Sequence, residues 1–241
     1  MSIQKATGNM YPWVDYVHSY LRGACPYECP YCYVQAIARR FGNTALQGPL
    51  RFAEKELKAN YGAEKYHGKT IFVEHTHDLF HPDVNPNDML EVLIKCQKAK
   101  STRFVFQTRN THIASLWRED LPQGSIVGTT IETNRTIGKA PAPTERAIYL
   151  KQTRNGANRC SSFITIEPIL AFDLGEMIEL IEIAEPDFIN IGADSKGTGL
   201  EEPTAIEVKR LIDAIQVLGI EIRTKRNLDR ILKKEATCPS K

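Results

Sequence analysis

The sequence predicts an α/β fold whose mainly parallel strands curl toward an incomplete barrel. Three observations predict it. Short apolar runs alternate with longer helical segments, six times clearly and a seventh time weakly. Polar residues recur where each run ends, which is where parallel β/α folds gather their ligands. Right-handed crossovers bend such a series one way, and seven strands are too few for a closed eightfold barrel. The 241 residues contain no internal repeat, linker or low-complexity tract, so 1–241 reads as one domain.

Residues 1–13 read as an irregular lead-in around Gly8 and Pro12. Residues 14–21 have strand composition with partial alternation. Gly23 and a cysteine loop, 25–33, follow, and 34–41 reads as a short helix. Residues 42–68 are an irregular polar excursion with a short helix at 52–61. Residues 70–74 are the second strand. The segment 86–100 is an amphipathic helix: Met89, Leu90, Val92, Leu93 and Cys96 share a face, Asn85 offers an N-cap, and Pro86 suits the first helical position. Strands then recur at 103–107, 125–131, 161–166 and 187–191, with helices at 112–117, 144–151, 174–184 and 204–218. Residues 220–223 are the weak seventh strand.

A hydrophobic content of 42% and a charged content of 25% are ordinary for a globular domain. A net charge of +2 is too small to argue for nucleic acid by itself. Cys96, Cys160 and Cys238 are scattered without ligand spacing, which excludes a disulfide framework. Cys96 and Cys160 read as buried small hydrophobes. The N-terminus lacks an apolar signal region, and no apolar run is long enough to cross a bilayer. A cytoplasmic, reducing setting is therefore expected.

The chemistry concentrates in Cys25, Cys29 and Cys32, spaced C-x3-C-x2-C, with Pro26 and Pro30 stiffening the loop. Thiolates are soft ligands that select zinc, Cu(I) or iron–sulfur clusters. Structural zinc wants four ligands, usually as two C-x2-C pairs, and this loop supplies three. A cluster on three thiolates leaves one iron open to a small molecule. A zinc loop completed by a distant His or Cys, and chance clustering, are the alternatives.

With Tyr31 as the aromatic, the pattern C-x3-C-x-aromatic-C resembles the signature of the radical S-adenosylmethionine (SAM) superfamily. The resemblance implies a partial (β/α)6 TIM-type barrel. It implies a [4Fe–4S] cluster on Cys25, Cys29 and Cys32, with SAM on the fourth iron. Reductive cleavage of SAM then gives a 5′-deoxyadenosyl radical that abstracts a hydrogen atom. The run 71–81, containing Asp78-Leu79-Phe80-His81, resembles a segment of a phage- and bacteria-associated radical SAM family of uncharacterised function. That family is similar in motif order to spore photoproduct lyase. Phe106-Gln107-Thr108-Arg109, Gly128 to Asn134, Glu167-Pro168 and Gly192 to Ser195 follow in the same order. The resemblance implies SAM contacts from Tyr31, Tyr33, His77, Arg109, Thr130 and Glu167, and Thr76 joins them in the segment 75–78, which can offer acceptors to the SAM ammonium. Arg109 offers a planar fork for the SAM carboxylate, Thr130 and Glu132 suit its ribose, and Tyr31 its adenine. His75 and His77 fit metal binding and pocket lining equally.

His75 stands where the lyase has a hydrogen-donating cysteine, and imidazole donates hydrogen atoms poorly. Cleavage of thymine dimers is therefore not expected. An isomerase- or lyase-type modification of a thymine-type base, in phage-type DNA or a modified nucleoside, is expected instead. His75, Asp78, Glu132, Asp194 and Lys225 are placed around that base. The basic segment 223–241, above all 223–234, and a second cluster of Lys151, Arg154 and Arg159 read as a phosphate-gripping rim or as solvated helix faces. Tyr11, Trp13 and Tyr16 are candidates to stack a flipped base. Flavodoxin or ferredoxin is the expected electron donor. The rivals are a radical SAM enzyme acting on a peptide or small metabolite, and a non-catalytic zinc or Fe–S redox module.

Overall fold

The structure is a computed structural model that describes residues 3–42 and 46–233. Cys238, Lys234 and the rest of the basic segment beyond 233 lie outside the described residues. One sheet holds eight strands: β1 (Gln4–Lys5), β2 (Tyr16–His18), β5 (Thr70–Val73), β6 (Arg103–Gln107), β7 (Ile126–Thr130), β8 (Ser161–Ile166), β9 (Phe188–Ile191) and β10 (Glu221–Thr224). They lie in that order, and β2 and β5 to β10 run parallel to one another. The weak seventh strand is thus a full member, in register with β9 over its whole length. The helices between strands are α2 (Pro86–Lys98), α3 (Thr111–Leu116), α4 (Pro143–Thr153), α5 (Leu174–Ala184) and α6 (Ala205–Val217). Asn85 caps α2 as its sequence promised, accepting from the Asn87 N–H at 2.9 Å.

Both faces of the sheet are apolar, as a parallel sheet requires. Ile71, Val73, Phe104, Phe106, Val127, Ile164, Ile166, Ile189 and Ile191 pack with Met89, Val92, Leu93 and Leu180 of the helices. The alternate positions Val17, Phe72, Val105, Ile126, Phe163 and Phe188 face inward and form a second core with Tyr11 and Val14. The same inward rows continue toward the strand ends as Glu74, Gln107, Thr130, Thr165 and Glu167. The barrel interior therefore changes from apolar to polar along its axis.

The inner core explains Gly128. A Cβ there would lie 2.2 Å from the Phe163 ring. That ring cannot yield: it stacks on Phe188 at 5.3 Å and meets Tyr11 and Trp13 edge-on. Gly128→Ala should lower the unfolding free energy by about 1–3 kcal/mol through overpacking. Denaturant titration checks this, and an unchanged midpoint would mean that the ring has room to move.

Four expectations need correction. The lead-in contains a strand: Gln4–Lys5 pairs antiparallel with Tyr16–His18. The first expected strand, 14–21, is split. The Glu74 carboxylate accepts the N–H groups of Tyr20 and Leu21 at 2.7 and 2.9 Å, drawing the chain off the sheet. Leu21–Arg22 (β3) then pairs antiparallel with Arg51–Phe52 (β4) in a separate ribbon. The short helix expected at 52–61 is a 3-10 turn, Glu54–Lys58, anchored by buried Glu56 on Arg22 at 2.8 Å and His18 at 3.2 Å. The aromatics offered for base stacking pack elsewhere: Tyr11 and Trp13 stack on each other inside the barrel, and Tyr16 meets Tyr66 edge-on.

Candidate active site

The cysteine loop leaves β3 through Gly23. Its φ of +97° and the approach of the Pro49 carbonyl, 2.1 Å from any Cβ, admit only glycine. Inside the loop the Cys32 N–H donates to the Cys29 carbonyl at 3.0 Å. The Lys139 N–H donates to the Tyr27 carbonyl at 2.8 Å, pinning the loop to the segment after β7. Helix α1 (Tyr33–Phe41) starts directly after Cys32. Cys25, Cys29 and Cys32 are free, half-buried thiols on the wall of a cavity of about 570 Å³ at the strand ends. Burial pushes the Cys25 thiol up to about 12 and raises that of Cys29. A bound metal would have to displace these protons.

Among the described residues, no three His, Cys, Asp or Glu side chains converge as the ligands of a single ion do. Cys25, Cys29 and Cys32 share this cavity wall, and three thiols are a soft donor set of the kind iron–sulfur clusters take, so the residues present fit a [4Fe–4S] group.

Every predicted site residue except Glu132 lines this cavity. Glu132 stands behind the wall, fully buried. It accepts from the Tyr31 phenol at 2.8 Å, from Arg109 at 3.0 Å and from Arg146 at 3.2 Å. Arg109 lies over the Tyr31 ring, 5.4 Å from its centre, and keeps 11% of its side chain exposed. The Tyr33 phenol donates to the His75 carbonyl at 2.8 Å.

Glu74 ends β5 with a φ of +62°. Burial opposes its charge, but hydrogen bonding to His77, the His77 charge and the Leu21 and Tyr20 N–H groups hold it below the usual carboxylate range. His77 donates from Nε2 to the Gly23 carbonyl at 2.8 Å, tying this strand end to the cysteine loop. Thr76 donates to Glu74 at 3.2 Å. Burial lowers the His75 pKa, and its Nδ1 lies 2.9 Å from the Ser19 hydroxyl. On the far side, Glu167 pairs with Lys225 at 2.6 Å and accepts from Asn9 at 2.8 Å. The Thr130 hydroxyl accepts from Gln107 at 2.9 Å, and Gln107 accepts from the Tyr11 phenol at 2.8 Å. Asp194 accepts from the Lys196 and Thr198 N–H groups at 2.7 and 2.6 Å, which shapes its own loop.

Asp78 is fully buried and accepts from the Phe80 N–H, the Thr108 hydroxyl and the Arg109 N–H. Burial outweighs these donors and pushes its carboxyl up to about 6. From an unfolded value near 4 up to about 6, the folded chain holds this proton more tightly than the unfolded one. Stability from Asp78 is thus full at the acid side and lost as pH rises through about 6. Asp78→Asn should remove this slope, which is roughly 1.4 kcal/mol per pH unit at most. Urea midpoints of both proteins across that window test it; parallel profiles would leave Asp78 with an ordinary pKa.

Sequence reasoning missed Arg146 and the N-terminal segment. Arg146 had a signal: Pro143, Arg146, Ala147, Leu150 and Thr153 form the buried stripe of α4, so an arginine occupies an apolar slot. The segment had none. Gln4, Lys5, Thr7, Asn9 and Met10 line the cavity on the side where edges β1 and β10 leave the barrel open.

The basic segments carry less free charge than their composition promises. Arg223 pairs with Glu221 and lies over the Phe188 ring, Lys225 pairs with Glu167, Arg230 with Glu202 and Lys233 with Asp229. Lys151 pairs with Glu185 and Arg154 with Asp187.

Comparison with solved structures matches the fold. A mutant of spore photoproduct lyase aligns with a TM-score of 0.63 at 11% identity, over 90% of this chain and 78% of that chain. A mutant of the lyase with bound AdoMet and dinucleoside spore photoproduct aligns at 0.56 and 13% identity, over 87% and 63%. SuiB of Streptococcus suis bound to S-adenosylmethionine aligns at 0.54 and 12% identity, over 87% and 50%. Both are radical SAM enzymes. The chain shares the fold of these enzymes. It spans less than two thirds of the ligand-bound lyase chain and half of the SuiB chain. No protein-family model and no curated protein matches it. Within the radical SAM fold, the expected partial barrel and its mostly parallel strands are both present.

Proposed function

We propose that the chain is a radical SAM enzyme. One observation carries the reading: three free thiols spaced C-x3-C-x2-C share a single cavity with the polar ends of the parallel strands. Bound to Cys25, Cys29 and Cys32, a [4Fe–4S] cluster would supply the electron that cleaves SAM and so yields the hydrogen-abstracting radical. The chain's own groups bind and orient. Arg109 has one amino group on Glu132 and further N–H donors free for the SAM carboxylate. Tyr31 and Tyr33 flank the thiols, and Thr76, His77, Thr130 and Glu167 complete the SAM contacts. Asp78, raised to about 6 by burial against three hydrogen-bond donors, would exchange a proton at the cavity wall in mildly acid solution. Flavodoxin or ferredoxin supplies the electron. Among the described residues no helix is long and apolar enough to cross a membrane.

The test is anaerobic reconstitution with iron and sulfide, then dithionite and SAM, with 5′-deoxyadenosine measured by chromatography. Its formation is expected. A protein that binds only zinc, or binds a cluster but never cleaves SAM, would restore the redox- or zinc-module reading.

For the substrate we propose a thymine-type base, in phage-type DNA or as a modified nucleoside, rearranged at carbon in an isomerase- or lyase-type step. The fold shared with a lyase crystallised with dinucleoside spore photoproduct supports this class. His75, Asp78, Asp194 and Lys225 would surround the base. Deuterium transfer from labelled base into deoxyadenosine is the expected result. A second reading, a small metabolite or peptide, is favoured by the paired charges of the basic segments. Turnover with such a substrate, and no DNA binding at low salt, would select it.

A further inference from the structure

The buried charges behind the cysteine loop do not balance. Glu132 sits between two guanidiniums, Arg109 on Oε1 at 3.0 Å and Arg146 on Oε2 at 3.2 Å. Two cations and one carboxylate leave a net charge of +1. Tyr31 fixes this triad to the loop. It lies between Cys29 and Cys32 in the sequence, its phenol donates to Glu132 at 2.8 Å, and its ring lies under Arg109.

Arg146 is the odd member. Its side chain is fully buried, yet Nε and Nη2 have no hydrogen-bond partner. Leaving buried donors unmet is unfavourable, and a neutral side chain would avoid it. Arg146 does not line the cavity, so binding SAM does not explain it either. What it adds is charge.

We propose that Arg146 is an electrostatic positioning residue: with Arg109 and Glu132 it holds a net positive charge behind Cys29 and Cys32 that raises the reduction potential of the cluster bound there. The inference rests on the radical SAM reading. Reduction takes one electron from an external low-potential donor and adds one negative charge to the cluster. A fixed cation in a water-poor wall stabilises that added charge.

The test is a potentiometric titration of the SAM-free, reconstituted protein, with the reduced cluster followed by electron paramagnetic resonance and dithionite as reductant. Arg146→Gln cancels the net charge, and Glu132→Gln increases it while keeping an oxygen acceptor. The double variant restores the wild-type sum. The expected order of potentials is Glu132→Gln above wild type, the double variant near wild type, and Arg146→Gln below. Should Arg146→Gln not fold, Glu132→Gln against the double variant isolates the Arg146 charge without a lone buried carboxylate. A merely structural role moves stability and does not give shifts of opposite sign. Potentials that coincide, or that fall in Glu132→Gln, overturn the proposal. A wild type that binds no cluster overturns the radical SAM reading itself, whereas a bound cluster with unmoved potentials sinks only this inference.

Discussion

Replacing any one of Cys25, Cys29 and Cys32 by Ala should abolish both the visible absorbance of the reconstituted protein and its SAM cleavage. Among the described residues three thiols are all that the cavity wall offers, and a cluster that lacks one of them loses a bond to the protein. The loss is expected to be complete rather than graded. The control is a triple substitution of Cys96, Cys160 and Cys238. Cys96 and Cys160 are buried among apolar side chains away from the cavity, so cluster and cleavage should survive their replacement. Loss of the cluster in a folded triple variant would remove the three-ligand assignment.

Arg109→Ala should weaken SAM binding by about 2 kcal/mol or more, the usual cost of a lost charge-assisted hydrogen bond. That is roughly 30-fold in affinity. The variant should still fold, because Glu132 keeps Arg146 and the Tyr31 phenol as donors. Arg109→Lys should recover part of the loss, since it restores the charge but not the planar fork. Anaerobic calorimetry with SAM, beside a denaturation curve, separates binding from stability. Equal affinity in wild type and Arg109→Ala would take this residue out of the site.

How much of this was legible in the sequence depended on how local the cause was. Strands 103–107 and 161–166 and helix 174–184 were placed to the residue, since apolar periodicity and flanking polar residues mark them. The first strand was misread because Glu74, some fifty residues away, draws Tyr20 and Leu21 off the sheet. The polar groups at the strand ends were found by one rule, that such groups converge in parallel β/α folds, whereas the cysteines and Tyr31 came from the spacing of their loop. The rule misplaced Glu132 because it cannot tell a side chain in the cavity from one behind it. Nor could composition show that Lys225, Arg230 and Lys233 are matched by Glu167, Glu202 and Asp229.

The N-terminal segment also bears on the order in which the molecule assembles. Lys225 donates to the Asn9 carbonyl across 216 positions, and Asn9 reaches Glu167 across 158. Closing a loop of that length costs entropy before any contact repays it, and such pairings form slowly. Asn9 has neither partner until β8 and β10 are in place. Residues early in the sequence are therefore among the last to settle. Until they do, Tyr11 and Trp13 lack Phe163 and Phe188, their neighbours in the finished barrel. A nascent chain halted before β8 would carry those aromatic rings without these neighbours, in the form that chaperones hold and proteases cut.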